Sequence, residues 1–217
     1  MKFKFFLLLI SVCLLNCVKP KKTTLYVGTY TDGDSKGIYQ FEFNSETGEL
    51  AKKQLAVSSE NPSFITYSQD KNYIYAVNET EKGTVSAFKV EADKTLTFIN
   101  KVNANGAHPC HVAINEQGDK AVISNYTGGN FSLHTINNNG ALNEAFQVLD
   151  HKKDSLISHA HSAQFFKDDL YASDLGLNAV FNYRLSNSKY ELISPSIVKL
   201  ENNSGPRHFS LTKDGKF

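Results

Sequence analysis

Arginine is nearly missing from this sequence: of twenty-three lysine and arginine residues, only Arg184 and Arg207 are arginines. A residue used so sparingly raises a question of geometry, because a guanidinium grips an oxyanion with two donors where lysine offers a point charge. A lysine-favouring codon bias accounts for the scarcity equally well. A surplus of one charge is also missing. The formal net charge is +1 and the basic residues form no stripe, so nothing argues for a nucleic-acid or acidic-surface partner. Tryptophan is absent, against 10 Tyr and 15 Phe. The 3 cysteines make no CxxC pair and no disulfide framework. Helical periodicity is not found beyond the N-terminal region, and the one long apolar run is too short to span a bilayer comfortably.

What is present is ordinary globular composition, 41% hydrophobic and 21% charged, enough for a sizeable core. The opening "MKFKFFLLLISVCLLNCVKPKK" has signal-peptide form, with two early lysines, an apolar run from Phe5 to Leu15, and then Asn16-Cys17. "LLNC" resembles a bacterial lipobox, although Asn16 stands where a small residue is usual. The expectation is a signal peptide over 1–17, lipidation at Cys17 and a tether over 18–24. The protein is then exported to the cell envelope and meets the membrane only through its lipid anchor; it is cytoplasmic if the signal reading fails. Cys13 leaves with the signal, and Cys110 stands alone.

Internal repeats organise the rest. "NPSFITYS" at 61–68, "HPCHVAIN" at 108–115, "HAHSAQFF" at 159–166 and "GPRHFSLT" at 205–212 line up, and a polar turn follows each. A second series, "LYVGTYT", "YIYAVNET", "AVISNYT" and "LYASDLG", places Thr29, Asn78, Asn125 and Asp174 in one column, 49, 47 and 49 residues apart. A third and a weaker fourth series follow. Four short strands in about 48 residues, rich in Val, Ile, Phe and Tyr and punctuated by Gly, Asn and Asp, predict an all-β chain built as a β-propeller of four-stranded blades. The blades fall near 25–57, 61–104, 108–150 and 159–200, and 205–217 is the first strand of the next, so 25–217 reads as a partial propeller.

Five of the seven histidines sit at the head of a first strand: His108, His111, His159, His161 and His208. In a propeller the first strand of each blade lines the central channel, so these residues meet at one mouth. Taken singly, each histidine suits a bond to a loop carbonyl; five at equivalent positions point to a site. If Ala160 is extended, His159 and His161 share a face; Arg207 and His208, being adjacent, face opposite ways. Glu79 is the only acid immediately after the second-series column, where Tyr30, Tyr126 and Leu175 hold the matching places. Asn125 and Asp174 add polar groups to the candidate ligand set, together with His108, His111, His208 and Glu79; strand-end capping is the plainer role for the column.

The quoted segments, with "HAHS" and "GPRH" the most specific, resemble the lactonase family of seven-bladed propellers, which includes the propeller-type 6-phosphogluconolactonases and carboxymuconate lactonizing enzymes. The resemblance runs from about Leu25 to Phe217 in matching order. It implies about four of seven blades and a small sugar lactone as substrate, hydrolysed with no metal or organic cofactor and with no protein partner inferred. It also implies an active set made of a histidine of the HxH segment, His161 or His159, the arginine Arg207, and a glutamate in the strand after GPRH that would fall beyond Phe217. A histidine near neutral pKa can take a proton from water, and Arg207 can stabilise the oxyanion or grip a substrate anion. Without that glutamate and the further blades, the 217 residues alone are expected to be inactive.

Two rivals stand beside this. His108, His111, His159, His161 and Cys110 could suggest a metal hydrolase, but acids to complete the set are few and a strand does not aim all of HPCH one way, so no metal is expected. The lipobox-like segment instead favours an envelope-anchored propeller that binds without catalysis, since a fold alone implies no activity.

Overall fold

The computed structural model describes residues 22–152 and 157–215. The expected signal peptide, Cys17 and the tether up to residue 21 lie outside the described residues. Those described form fifteen strands and no helix, in four antiparallel meanders. Blade 1 holds β1 (Lys22–Val27), β2 (Gly37–Asn44) and β3 (Leu50–Ser58). Blade 2 holds β4 (Ile65–Tyr67), β5 (Tyr73–Asn78), β6 (Thr84–Val90) and β7 (Leu96–Asn103). Blade 3 holds β8 (Pro109–Ile114), β9 (Lys120–Asn125), β10 (Asn130–Ile136) and β11 (Leu142–Asp150), and blade 4 holds β12 (Ala160–Phe166), β13 (Asp169–Asp174), β14 (Ala179–Ser186) and β15 (Lys189–Lys199).

Two boundaries differ from the repeat-based expectation. β1 begins at Lys22, inside the expected tether: Lys22 pairs with Asn44 in register and its Nζ lies 2.6 Å from Glu42 Oε1. The β-branched pair Thr23-Thr24 suits the extension. Residues 205–215, expected as a first strand, lie in no strand. They run beside blade 4, where Ser173 Oγ donates to Arg207 O at 3.0 Å and Gln164 Nε2 to Phe209 O at 2.7 Å. A strand needs a backbone ladder, and no partner strand faces this segment among the described residues.

The core lies between blades, in three apolar layers. Tyr26, Ile38 and Ala56 meet Ile74, Ala76 and Phe88 between blades 1 and 2. Tyr75, Val77 and Val85 meet Val112, Ala121 and Ile123 between blades 2 and 3. Val122, Phe131 and Leu133 meet Ala163, Leu170 and Tyr183 between blades 3 and 4. Alternate side chains of β5 and β9 thus serve opposite neighbours, which is why the second strands read as continuous apolar runs. Each buried aliphatic or aromatic side chain contributes about 1.5–3 kcal/mol, and in these layers that burial is shared between neighbouring blades. At the inner mouth the approach is close. A Cβ on Gly83 would lie 2.4 Å from Gly106 O and 2.5 Å from Pro109 Cδ, so only glycine lets the turn of blade 2 touch the chain entering blade 3.

Candidate active site at the inner mouth

The heads of the first strands share a backbone device. Asn61, His108 and Gly205 have φ of 40°, 50° and 52°, each directly before a proline. The left-handed region is the natural place for Asn and Gly, so His108 occupies a turn position. Its N donates to Thr80 O at 2.8 Å and its O accepts from Tyr126 N at 2.9 Å. A second device follows. The ladder skips one residue between Pro109↔Asn125 and His111↔Ser124, and again between Ala160↔Asp174 and Ser162↔Ser173. Cys110 and His161 are the extra residues of two matching β-bulges, which re-aim side chains next to a site.

Rings then follow one another across the mouth. Phe64 packs on His111 at 4.4 Å between centroids; His111 lies 6.5 Å from His208, and His208 lies 5.0 Å from His161. His161 meets Tyr126 edge-on at 5.8 Å, and Tyr126 stacks on His159 at 4.4 Å with planes 10° apart. The bulge breaks the simple alternation, and His159 and His161 grip the same tyrosine from its face and its edge. Burial pulls the His111 pKa down to about 4, helped by His208 and His161. His161 is lowered too, first by burial and then by His208 and Arg207, while its own backbone bond and Glu79 oppose the shift. Both rings are therefore neutral near pH 7. Glu79 Oε2 accepts from Tyr30 OH at 2.8 Å, and its charge is felt at His161 and at Cys110. Arg207 and His208 are exposed.

Of the candidates, the structure thus brings together His111, His159, His161 and His208, with Arg207 and Glu79 close enough to act on His161. It does not bring in Asn125 and Asp174. Both side chains are fully buried and tie their own blades to the incoming chain. Asn125 Nδ2 donates to Ala104 O at 2.8 Å and to Asn130 Oδ1 at 2.7 Å. Asp174 accepts from His151 Nδ1 at 3.0 Å, Ser158 Oγ at 2.5 Å, His159 N at 2.9 Å and Leu177 N at 3.1 Å. Four internal donors take up the Asp174 carboxylate, whereas at Asn125 only the amide nitrogen is committed and Oδ1 is buried without a partner; both side chains act here as ties to the incoming chain. His108 likewise makes none of the ring contacts above. Tyr30, Tyr126 and Phe64 were not expected at the site; the first two hold the places that match Glu79, and that equivalence was their signal.

Cys110 is half-buried against the backbone, with Sγ 3.4 Å from His161 O. Burial, and then Glu79, push its pKa up to about 12, the opposite of a thiolate ligand or nucleophile. Among the described residues, no group of three or more His, Cys, Asp or Glu side chains is arranged to hold a metal. Cys110 in the native protein is expected to resist iodoacetamide at pH 8 and to react fully in urea, as read by peptide mass; native labelling would show that the thiol is open.

Successive antiparallel meanders, one of three strands and three of four, packed face to face define the chain as part of a β-propeller, with a row of imidazoles at the heads of its first strands. The chain belongs to the lactonase family of seven-bladed beta-propellers, whose family model matches residues 24–217. It is 28% identical over 201 residues to the 6-phosphogluconolactonase of Bacillus subtilis, covering 88% of this chain and 57% of that protein. A solved structure from Bacteroides fragilis is 34% identical, with a TM-score of 0.81, covering 90% of this chain and 59% of that one. The periplasmic gluconolactonase of Pseudomonas aeruginosa is 25% identical, with a TM-score of 0.83, covering 90% of this chain and 60% of that one. The chain thus spans less than two thirds of the length of these relatives.

Proposed function

We propose that the protein is a carboxylic ester hydrolase that opens a sugar lactone of the 6-phosphogluconolactone kind at the inner mouth. The observation that carries the reading is the meeting of His111, His161 and His208, 5.0–6.5 Å apart in sequence of contact, with the Arg207 charge acting on His161. The names of the Bacillus subtilis and Pseudomonas aeruginosa relatives support the same chemistry. A neutral imidazole of the HxH segment takes a proton from water as the water oxygen attacks the lactone carbonyl. Arg207 stabilises the oxygen that becomes negative, or holds an anionic group of the substrate. The ring C–O bond then breaks, and the proton passes to the leaving oxygen to give the open hydroxy acid. Cys17, as a lipid anchor, places the protein in the cell envelope; an exported site meets unphosphorylated lactones, so both kinds belong in the test. Turnover is further proposed to need more of the family's length than these 217 residues.

The test is lactone opening followed by pH-stat, with 6-phosphogluconolactone and gluconolactone offered to the full-length protein. His161→Ala is expected to lower the rate by about 100-fold or more. The lipobox-like segment favours the second reading, an anchored binding propeller, and failure of the full-length protein to open either lactone would support it; an unchanged rate in His161→Ala would take His161 out of the mechanism. Turnover by the 217 residues alone would refute the need for greater length.

A further inference from the structure

We propose that the anchored protein lies with the far end of blade 1 against the lipid headgroups and its inner mouth turned away from them, so that whatever enters the site arrives through water and not from the bilayer. The inference rests on the Cys17 anchor proposed above and not on the lactonase reading.

β1 begins very soon after Cys17. Lys22 is already paired with Asn44, so only residues 18–21 separate Cys17 from the ladder. From Cys17 to Lys22 the chain spans at most about 18 Å in any conformation. β1 then runs toward the mouth. Its first residue, Lys22, lies level with the turn from β2 to β3, where Asn44 O accepts from Gly48 N at 2.8 Å. Beyond its last residue, Val27, the chain reaches Tyr30, whose OH donates to Glu79 at 2.8 Å on the histidine side. Lys22 to Val27 is about 17 Å of strand, and Gly28, Thr29 and Tyr30 carry the chain further. A mouth facing the bilayer would lift Lys22 at least that far from the headgroups. The tether would have to leave Lys22 in the wrong direction, reverse, and return fully extended along the blade. Its reach covers the distance only if no residue is spent on the reversal. With the far end of blade 1 on the surface, the chain enters β1 directly. Charge does not set this pose. Lys22 and Lys52 both pair with Glu42, at 2.6 and 3.1 Å, so the basic residues nearest the tether are already matched and an uncharged lipid surface serves.

The experiment uses the full-length protein, expressed with its own N-terminus and reconstituted into phosphatidylcholine vesicles. Intact mass first reports lipid on Cys17, with Cys17→Ser as the control. A maleimide fluorophore is then placed through Glu46→Cys or through Asp34→Cys. Both sites are exposed and lie beyond opposite ends of β2, about 23 Å apart along the strand. Protein with neither change gives the background from Cys110. Vesicles with a nitroxide on the lipid headgroup are expected to quench the label at position 46 at least about twofold more than the label at position 34, because only the far end lies within the reach of the tether. Equal quenching, or stronger quenching at position 34, on protein that carries lipid at Cys17 overturns the orientation. Absence of lipid on Cys17 removes the anchor and the proposal with it. If either variant does not fold, Thr47→Cys and Asp32→Cys report on the same two ends. A failure of the protein to open lactones leaves these readings untouched, so the two failures are distinct.

Discussion

Replacing Asp174 with alanine lowers stability by about 3–5 kcal/mol, read as a shift of the urea midpoint at an unchanged slope. The carboxylate is wholly buried and answers four donors at once: His151 Nδ1, Ser158 Oγ, His159 N and Leu177 N. Ser158 keeps a second acceptor in Gly129 O; the others are left without one. His151 is itself enclosed by Phe131 and Phe181 and bonded to Tyr183 OH, so water cannot replace the lost bond cheaply. Asp174→Asn recovers only part of the loss. At Asn78 and Asn125 the amide donates to carbonyls of the incoming chain, whereas position 174 faces donors. The effect also depends on pH. Burial acts to raise the Asp174 pKa, but the bonds from His151, Ser158 and His159 outweigh it and hold the carboxyl below its ordinary value. An unfolded aspartate titrates near about 3.9. The stability contributed is therefore full above about pH 5 and lost as pH falls through the folded pKa. Wild type and alanine variant should converge in acid. A loss under about 1 kcal/mol at pH 7 would mean that the four bonds are not what holds the segment.

Much of the blade architecture could be read from the sequence because stacking blades leaves a double signature. Turn residues recur at a fixed period, and second strands such as Tyr73–Asn78 and Lys120–Asn125 run apolar because neighbours cover both faces. The site was legible only as a column. The repeat brought His111, His161 and His208 to one place, yet it could not show which polar residues of the adjacent column face a ligand. Asn125 and Asp174 carry the same side-chain chemistry whether they bind substrate or a loop, and only their partners tell the two apart. Bulges were also invisible. An extra residue at Cys110 or His161 changes no hydrophobic pattern, because register there is set by backbone pairing. The segment 205–215 shows the same limit from the other side, since a strand-like pattern becomes a strand only when another strand pairs with it.

Replacing Arg207 with alanine in the full-length protein is expected to lower kcat/KM for lactone opening by about 100- to 1,000-fold, the size of losing one charged donor at a developing oxyanion. Arg207 is anchored by its carbonyl, which accepts from Ser173 Oγ, while its side chain is exposed. Among the described residues, no hydrogen bond or ion pair is recorded for its guanidinium. A fixed backbone with an uncommitted head suits ligand binding more than structure, and stability should change little. The two candidate roles separate by substrate. If the guanidinium serves the oxyanion, kcat falls alike for phosphorylated and unphosphorylated lactones. If it grips a phosphate, the loss appears in KM and only for the phosphorylated one. Arg207→Lys restores part of the rate in either case, because it keeps the charge without the two-pronged geometry. A spectroscopic result accompanies the kinetics. Arg207 is one of the charges that lower the His161 pKa, after burial and His208, so its removal moves the His161 titration, followed by NMR, to higher pH. An alanine variant with full activity and an unmoved His161 titration would place the guanidinium outside the site.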